Sequence, residues 1–148
     1  MNHLVSSFAA CVLATTQVVA APKIEPLRDS DLDATRSCRF LVTSSPKGSG
    51  DVVLQLRDWE AKMRLDGKLV SLRVEEKNCG NNCVGPGRSG VVVYRFLGPG
   101  VRATFTKTVT CARHAEACGG LPEGIASVAV STSAGRTVTS VWGEYCDR

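Results

Sequence analysis

Two alternating runs joined by Asp66-Gly67 constrain the fold of this chain more than any other feature of its sequence. Apolar and polar residues alternate over 60–65 before this dipeptide and over 70–75 after it. Asp-Gly between two such runs predicts a β-hairpin, because a type I′ turn needs a positive φ at both central residues. One face of the hairpin is apolar and the other is charged, so we expect the hairpin to lie half-buried on a core.

Further alternating runs extend this pattern and predict an all-β fold. Strands are expected over 38–43, 51–57, 91–97, 101–110, 124–133 and 136–146. In the last of these we expect Val138 and Trp142 to face inward, while Lys107 falls on the apolar side of its own strand. With the hairpin, this makes seven or eight strands, short turns and no long helix. Such a set predicts a small antiparallel barrel or sandwich.

The amino-terminal residues have the composition of a leader. Residues 1–21 contain no Lys, Arg, Asp or Glu, and an apolar stretch ends in small residues before Pro22. This pattern is typical of a secretory signal peptide that is cut after Ala20. The alternatives are a single membrane anchor and a bacterial lipobox that ends at Cys11. The chain then divides into three parts: a signal peptide at 1–20, a polar N-terminal arm at 21–37 and a β-barrel domain at 38–148.

Removal of the leader leaves an even number of cysteines. The six are Cys38, Cys79, Cys83, Cys111, Cys118 and Cys146. In an exported chain of this size they predict a disulfide framework and an oxidising compartment. Six cysteines allow fifteen pairings, but short loops lose less entropy on closing. We therefore favour Cys79–Cys83 and Cys111–Cys118, with Cys38–Cys146 joining the ends of the domain. A zinc site is the alternative, but the spacings lack the tight pairs of a zinc ribbon, so we expect neither a metal nor a cofactor.

The charge and the candidate catalytic residues argue against several functions. The net charge of +4 at pH 7 is small for a nucleic-acid surface, and few aromatic residues are available to stack on bases. A basic stripe along the sheet would be formed by Arg57, Lys62, Arg64, Arg73, Arg95 and Arg102. A hydrolase would have to use His114, or a carboxylate pair such as Asp58 and Glu60. We expect instead no catalytic site, and a monomer that binds no nucleic acid and does not span a membrane.

The residues of segment 61–72 read Ala-Lys-Met-Arg-Leu-Asp-Gly-Lys-Leu-Val-Ser-Leu. This segment resembles part of a largely uncharacterised set of small bacterial exported β-barrel proteins. In that set the hairpin precedes a loop with paired cysteines, and the last strand ends in a cysteine. Cys111-x6-Cys118 and Gly143-Glu144-Tyr145-Cys146 look like the later pieces. The resemblance covers most of 60–146, and it implies a barrel in the bacterial envelope without a particular activity.

Ser89 and Gly90 are followed by Tyr94 after three intervening residues. This stretch is similar to one in the membrane-bound and periplasmic inhibitors of C-type lysozyme, which are small β-barrels in which a Ser-Gly-x-x-Tyr stretch on a loop blocks the lysozyme cleft. That family has two intervening residues where this chain has three. Because one extra residue moves a strand side chain to the other face, this spacing departs from the pattern. The likeness implies Ser89, Gly90 and Tyr94 as binding contacts.

These observations together predict a non-enzymatic, secreted or periplasmic binding protein. Its partner would be a protein or a glycan of the envelope, and a lysozyme-type hydrolase is the one specific target that the second likeness implies. We expect the contacts to come from the loops at 78–90 and 111–124, because rigid scaffolds tend to carry function on such loops. The alternatives are a structural envelope domain without a discrete ligand and a small hydrolase.

Overall fold

The computed structural model describes residues 20–33, 40–45, 50–78, 87–114 and 124–145. Within these residues there are nine strands and one turn of 3-10 helix over Asp29–Asp31. The strands are β1 (Ile24–Glu25), β2 (Phe40–Thr43), β3 (Val52–Arg57), β4 (Glu60–Leu65), β5 (Lys68–Asn78), β6 (Ser89–Gly98), β7 (Val101–Thr110), β8 (Gly124–Thr132) and β9 (Gly135–Tyr145).

Eight of these strands form a closed antiparallel barrel. Each strand from β2 to β9 pairs with the next one along the chain. The ring is closed by β9 and β2, with Thr43 opposite Trp142. Strand β1 lies outside the ring and pairs with Arg64 and Leu65 of β4, beyond Met63, the last residue that β3 covers. The fold is therefore all-β, and of the two predicted architectures it is the barrel.

Two-residue turns join four pairs of consecutive strands: β3–β4, β4–β5, β6–β7 and β8–β9. Asp66 and Gly67 have φ values of 48° and 77°, which confirms the hairpin predicted from this dipeptide. Between β6 and β7, Pro99 precedes Gly100, whose φ is 68°. Proline followed by a residue with positive φ is the arrangement of a type II turn. Turns of this kind make the two strands that they join neighbours in the sheet. The other three pairs, β2–β3, β5–β6 and β7–β8, are neighbours although longer connections join them.

Side chains fill the interior of the barrel. The largest inward residues are at most 2% exposed: Phe40, Leu54, Met63, Phe96, Phe105 and Val128. Phe40 and Phe105 meet edge to face, with ring centroids 5.9 Å apart and an interplanar angle of 83°. The interior of an eight-stranded barrel is just wide enough for such side chains. The barrel therefore has a packed core, and a ligand surface has to be sought on its outside.

The inward residues of β9 differ from the sequence prediction. Val138 is 59% exposed, and Trp142 lies opposite the exposed Ile125 on the outer face, so the prediction that Val138 and Trp142 face inward is wrong. Val141 is buried instead. Side chains alternate with a period of two, so a shift of one residue reverses every position of a strand. Lys107 is inward on β7, as its parity predicts, and is half-buried beside Gly124.

The N-terminal arm lies against the barrel. At one barrel end the hydroxyl of Thr137 donates a hydrogen bond to the carbonyl of Pro22, which is itself buried. The chain then reaches the β4–β5 turn, where the N–H of Lys23 donates to Asp66 Oδ1 at 2.9 Å. The N–H of Asp66 donates back to the carbonyl of Lys23 at 3.0 Å. Further along, Leu27 is buried. Sequence polarity alone did not reveal this docking.

Two carboxylates of the arm pair with outward cations of β4. Asp31 binds Arg64 through a Nη2–Oδ2 contact of 2.7 Å and a Nε–Oδ2 contact of 3.1 Å, and both residues are buried. Asp33 Oδ1 lies 2.8 Å from Lys62 Nζ. Hydrogen bonds from the backbone N–H of Arg28 and from the Arg64 guanidinium lower the pKa of Asp31. The hairpin that we expected to be half-buried is thus covered on its charged face too, at Arg64.

Several predictions lie outside the described residues. They concern the signal peptide at 1–20 apart from Ala20, the cysteine of the lipobox, and the cysteines Cys38, Cys79, Cys83, Cys118 and Cys146. Cys111 is described, directly after β7, and is 1% exposed. The signal peptide and the disulfide pairing therefore stay predictions. In the part of the chain that the structure describes, no helix has both the length and the apolar character needed to cross a membrane.

Candidate functional site

A groove of about 500 Å³ lies on the outer surface, where the β6–β7 turn meets β5. Its lining residues are Glu60, Ser71, Leu72, Arg73, Leu97, Gly98 and Pro99. Strand pairing explains why they meet. Glu60 of β4 lies opposite Arg73 of β5, and Arg73 lies opposite Leu97 of β6. Three neighbouring strands therefore contribute to one surface depression.

Gly98 permits the close approach of the turn to β5. A Cβ atom at this position would lie 2.6 Å from Leu72 Cδ2 and 2.9 Å from the Ser71 carbonyl oxygen. Ordinary contacts of a carbon atom begin at about 3.3–3.5 Å. The missing side chain thus lets the backbone of β6 lie against β5, and it helps to define the end wall of the groove.

The groove combines apolar surface with charge. Leu72 is buried at 2% exposure, Leu97 is half-buried and Pro99 is exposed, which makes part of the lining apolar. Glu60 and Arg73 are exposed and directly opposite each other. An apolar lining with a few polar groups placed around it is the general character of a binding site, in which burial supplies affinity and the polar groups supply orientation.

An exposed tryptophan directly precedes Glu60, a lining residue of the groove, in the chain. Trp59 is 67% exposed and occupies a two-residue turn between Arg57 and Glu60, which pair with each other. Asp58, the first residue of the turn, has a φ of 45°, a conformation that Asp adopts more readily than most residues. The turn is tied to β5, because the Trp59 carbonyl accepts the N–H of Val74 at 2.9 Å. Trp59 is therefore presented on a braced backbone.

The structure separates the residues that the lysozyme-inhibitor likeness singled out. Ser89 begins β6 and is exposed, with its hydroxyl 3.0 Å from Thr110 Oγ1. Gly90 follows it in the same strand. Tyr94 lies inside the barrel at 5% exposure, stacked on Phe96 with centroids 6.4 Å apart. An odd separation along a strand puts two side chains on opposite faces, so Ser89 and Tyr94 do not share a surface. A binding role of Ser89 and Gly90 stays a prediction.

The candidate catalytic residues are not gathered into one cleft by the described part of the chain. His114 is exposed just after β7, and Asp58 and Glu60 flank the exposed Trp59. Asp31 has a lowered pKa, but its carboxylate is engaged by Arg64 in the docking of the arm. Among the described residues no group of three or more His, Cys, Asp or Glu side chains is arranged to hold a metal ion.

The strand register places three members of the predicted basic stripe, Arg57, Arg73 and Arg102, in one row across β3 to β7. Two other members, Lys62 and Arg64, are paired with carboxylates of the arm. The sequence analysis did not single out Trp59, an exposed aromatic residue that directly precedes Glu60 of the groove. The sequence did contain one signal for it, namely its position. Trp59 lies between two alternating runs, where a turn is expected, and a residue in a turn does not enter the core.

Comparison of the chain with protein-family models, with curated proteins and with solved structures found no match. The function therefore has to be inferred from the geometry of the barrel surface itself.

Proposed function

We propose that this protein is an exported, non-enzymatic binding protein that recognises a protein or a glycan of the bacterial envelope. The observation that carries the proposal is the groove of about 500 Å³ next to Trp59, which is 67% exposed. Tryptophan is enriched among the residues that dominate binding energy at interfaces. Its exposure in the free protein leaves a large apolar surface for a partner to cover.

The packed core supports an external site. Phe40, Phe96 and Phe105 are each at most 2% exposed inside the barrel, so the interior is occupied by the protein's own side chains. The same core makes the outer surface rigid. A rigid surface loses little conformational entropy when a partner binds, and this favours affinity.

The chemical character of the groove indicates what kind of partner would fit it. An extended peptide segment or a sugar ring has an apolar face that can lie on Trp59, Leu97 and Pro99, together with polar groups that can reach Glu60 and Arg73. A carboxylate and a guanidinium opposite each other offer an acceptor and several donors in one place. A neutral, amphipathic partner therefore fits this site better than a strongly charged one.

Export is part of the same proposal. It is supported by the leader-like composition of 1–20 and by the even number of cysteines that follow it. An envelope partner would be accessible only to an exported chain. Measurement of the mass of the mature protein from the secreted or periplasmic fraction tests this point, and we expect an amino terminus at Ala21.

The proposal is tested by Trp59→Ala, with Ile125→Ala as the matched control. Ile125 is 72% exposed and lies on β8, so the control removes a comparable exposed apolar side chain elsewhere. Both variants and the native domain are screened against an array of envelope glycans, a peptide library and a C-type lysozyme. We expect at least one ligand whose affinity falls about tenfold or more in Trp59→Ala and is unchanged in Ile125→Ala.

Ligands that bind the native domain and Trp59→Ala equally well would overturn the groove as the binding site. If no probe binds the native domain, the structural role without a discrete ligand becomes the better description. Arg73→Ala gives a second test of the same surface. Arg73 is exposed, and charges on an exposed surface contribute little to stability. A loss of binding in this variant would therefore report on the site and not on the fold.

A further inference from the structure

A second pocket, of about 270 Å³, lies on the outer face one strand further round the barrel. It adjoins the groove at Leu97, which lies opposite Arg102 across β6 and β7. The polar residues that line it are Glu75, Arg95, Arg102, Thr104, Ser131 and Arg136. Three arginines and one carboxylate thus meet around two hydroxyl groups, which gives the pocket a net positive charge.

Strand register explains why the arginines meet. Arg102 of β7 lies opposite Ser131 of β8, and Ser131 lies opposite Arg136 of β9. Neighbouring strands are about 4.8 Å apart, so the two arginine backbones are separated by about 10 Å with Ser131 between them. Both long side chains line the same pocket, one from each side of the serine.

Two of the arginines that line this pocket, Arg102 and Arg136, have no carboxylate partner among the described residues. In the part of the chain that the structure describes, neither Arg102 nor Arg136 forms an ion pair, and both are exposed. Like charges held on one sheet face are unfavourable unless something neutralises them. Glu75 is the one carboxylate among the lining residues, and it compensates only part of the positive charge.

We propose that this pocket binds a phosphate or sulfate group, either as the free anion or as a monoester on a sugar. The guanidinium group presents a planar fork of donors that matches such oxyanions in a bidentate manner. Arg102 and Arg136 hold the anion from opposite sides, and the Ser131 hydroxyl below it donates a further hydrogen bond. The site is separate from the groove beside Trp59 and does not depend on the function proposed for that groove.

The test is isothermal titration of the full mature chain with inorganic phosphate, inorganic sulfate and glucose 6-phosphate, at constant ionic strength maintained with sodium chloride. We expect saturable binding of at least one of the three probes. Arg102→Gln together with Arg136→Gln is expected to weaken it about tenfold or more. Arg136→Gln alone serves if the double variant unfolds, and circular dichroism checks the fold of each.

Two further variants test whether the anion binds in this pocket. Glu75→Gln removes the carboxylate that opposes an anion, so we expect tighter binding. Arg57→Gln removes an exposed arginine of β3 that is outside the pocket, so we expect unchanged affinity. Tighter binding of glucose 6-phosphate than of inorganic phosphate identifies a monoester as the ligand, and equal binding identifies the free anion.

The proposal is overturned if none of the three probes binds above the chloride background. It is also overturned if Arg57→Gln weakens binding as much as the double variant, because the effect would then be one of net charge. Trp59→Ala should leave the titration unchanged, so failure of the anion site and failure of the groove can be told apart.

Discussion

Substitution of Gly98 by alanine is the sharpest test of the architecture described here. Its φ lies outside the left-handed region that favours glycine, so an alanine meets no backbone strain at this position. The added Cβ would nevertheless lie 2.6 Å from Leu72 Cδ2 and 2.9 Å from the Ser71 carbonyl oxygen. The first neighbour is the end of a flexible side chain and can rotate away, but the second is backbone and can move only with β5.

The size of the effect follows from these distances. The contact with the Ser71 oxygen is shorter by about 0.4–0.7 Å than carbon–oxygen contacts normally are. Forcing extra atoms into a packed site costs about 1–3 kcal/mol, and the fixed neighbour argues for the upper half of that range. For a domain of this size each kcal/mol lowers Tm by about 4 °C, so we expect Gly98→Ala to lose about 8–12 °C.

Gly100→Ala is the matched control in the same turn. It has a φ of 68° and no atom within 4 Å of the added Cβ, so its cost is the left-handed conformation alone, about 1–2 kcal/mol. Thermal unfolding followed by circular dichroism compares the two variants. The reasoning is refuted if Gly98→Ala is as stable as Gly100→Ala, because the close approach of β6 to β5 would then not be a rigid feature of the fold.

Hydrogen bonds from the Arg28 N–H and the Arg64 guanidinium lower the pKa of Asp31. The stability that this carboxylate contributes is therefore fully present above its ordinary pKa of about 4 and is lost as the pH falls through the lower folded value. We expect Asp31→Asn to flatten the dependence of Tm on pH in this acidic range, and an unchanged profile would contradict the ion pair. If the domain inhibits a lysozyme-type hydrolase through the start of β6, Ser89→Ala should weaken inhibition in a turnover assay. Tyr94→Phe should leave inhibition unchanged, because the Tyr94 ring lies inside the barrel. Equal losses of inhibition in the two variants would argue for a different contact surface. Reduction of the predicted disulfides with dithiothreitol should lower Tm by several degrees, because cross-links restrict the unfolded chain; identical melting with and without reductant would mean that the cysteines are not paired.

The parts of the fold that were predictable from sequence are those governed by local rules. The Asp66-Gly67 turn was recognisable because few dipeptides accept two positive φ values in succession, and the strands of the meander were recognisable from a period of two. These rules operate between neighbours along the chain. They therefore identify strands and turns, but they leave the closure of the sheet open, because closure pairs β9 with β2, whose residues Thr43 and Trp142 are 99 positions apart in the chain.

The candidate sites were much less accessible. Trp59 could be assigned to a turn, but its place beside a groove depends on how Leu97 and Arg73 are paired across β6 and β5. The inward direction of Val138 was predicted wrongly, because apolar residues of both parities occur in its strand and only packing decides between them.

The sequence by itself determined that this chain is an all-β domain of alternating strands, several of them joined by tight turns, because alternation and turn chemistry are properties of adjacent residues. Tertiary structure alone decided what the outer surface of the barrel looks like. In the folded protein the N-terminal arm covers Arg64, and Arg102 and Arg136 lie on either side of Ser131. The physical reason is that register and closure join residues far apart in the chain, and no local signal records which distant side chains will become neighbours.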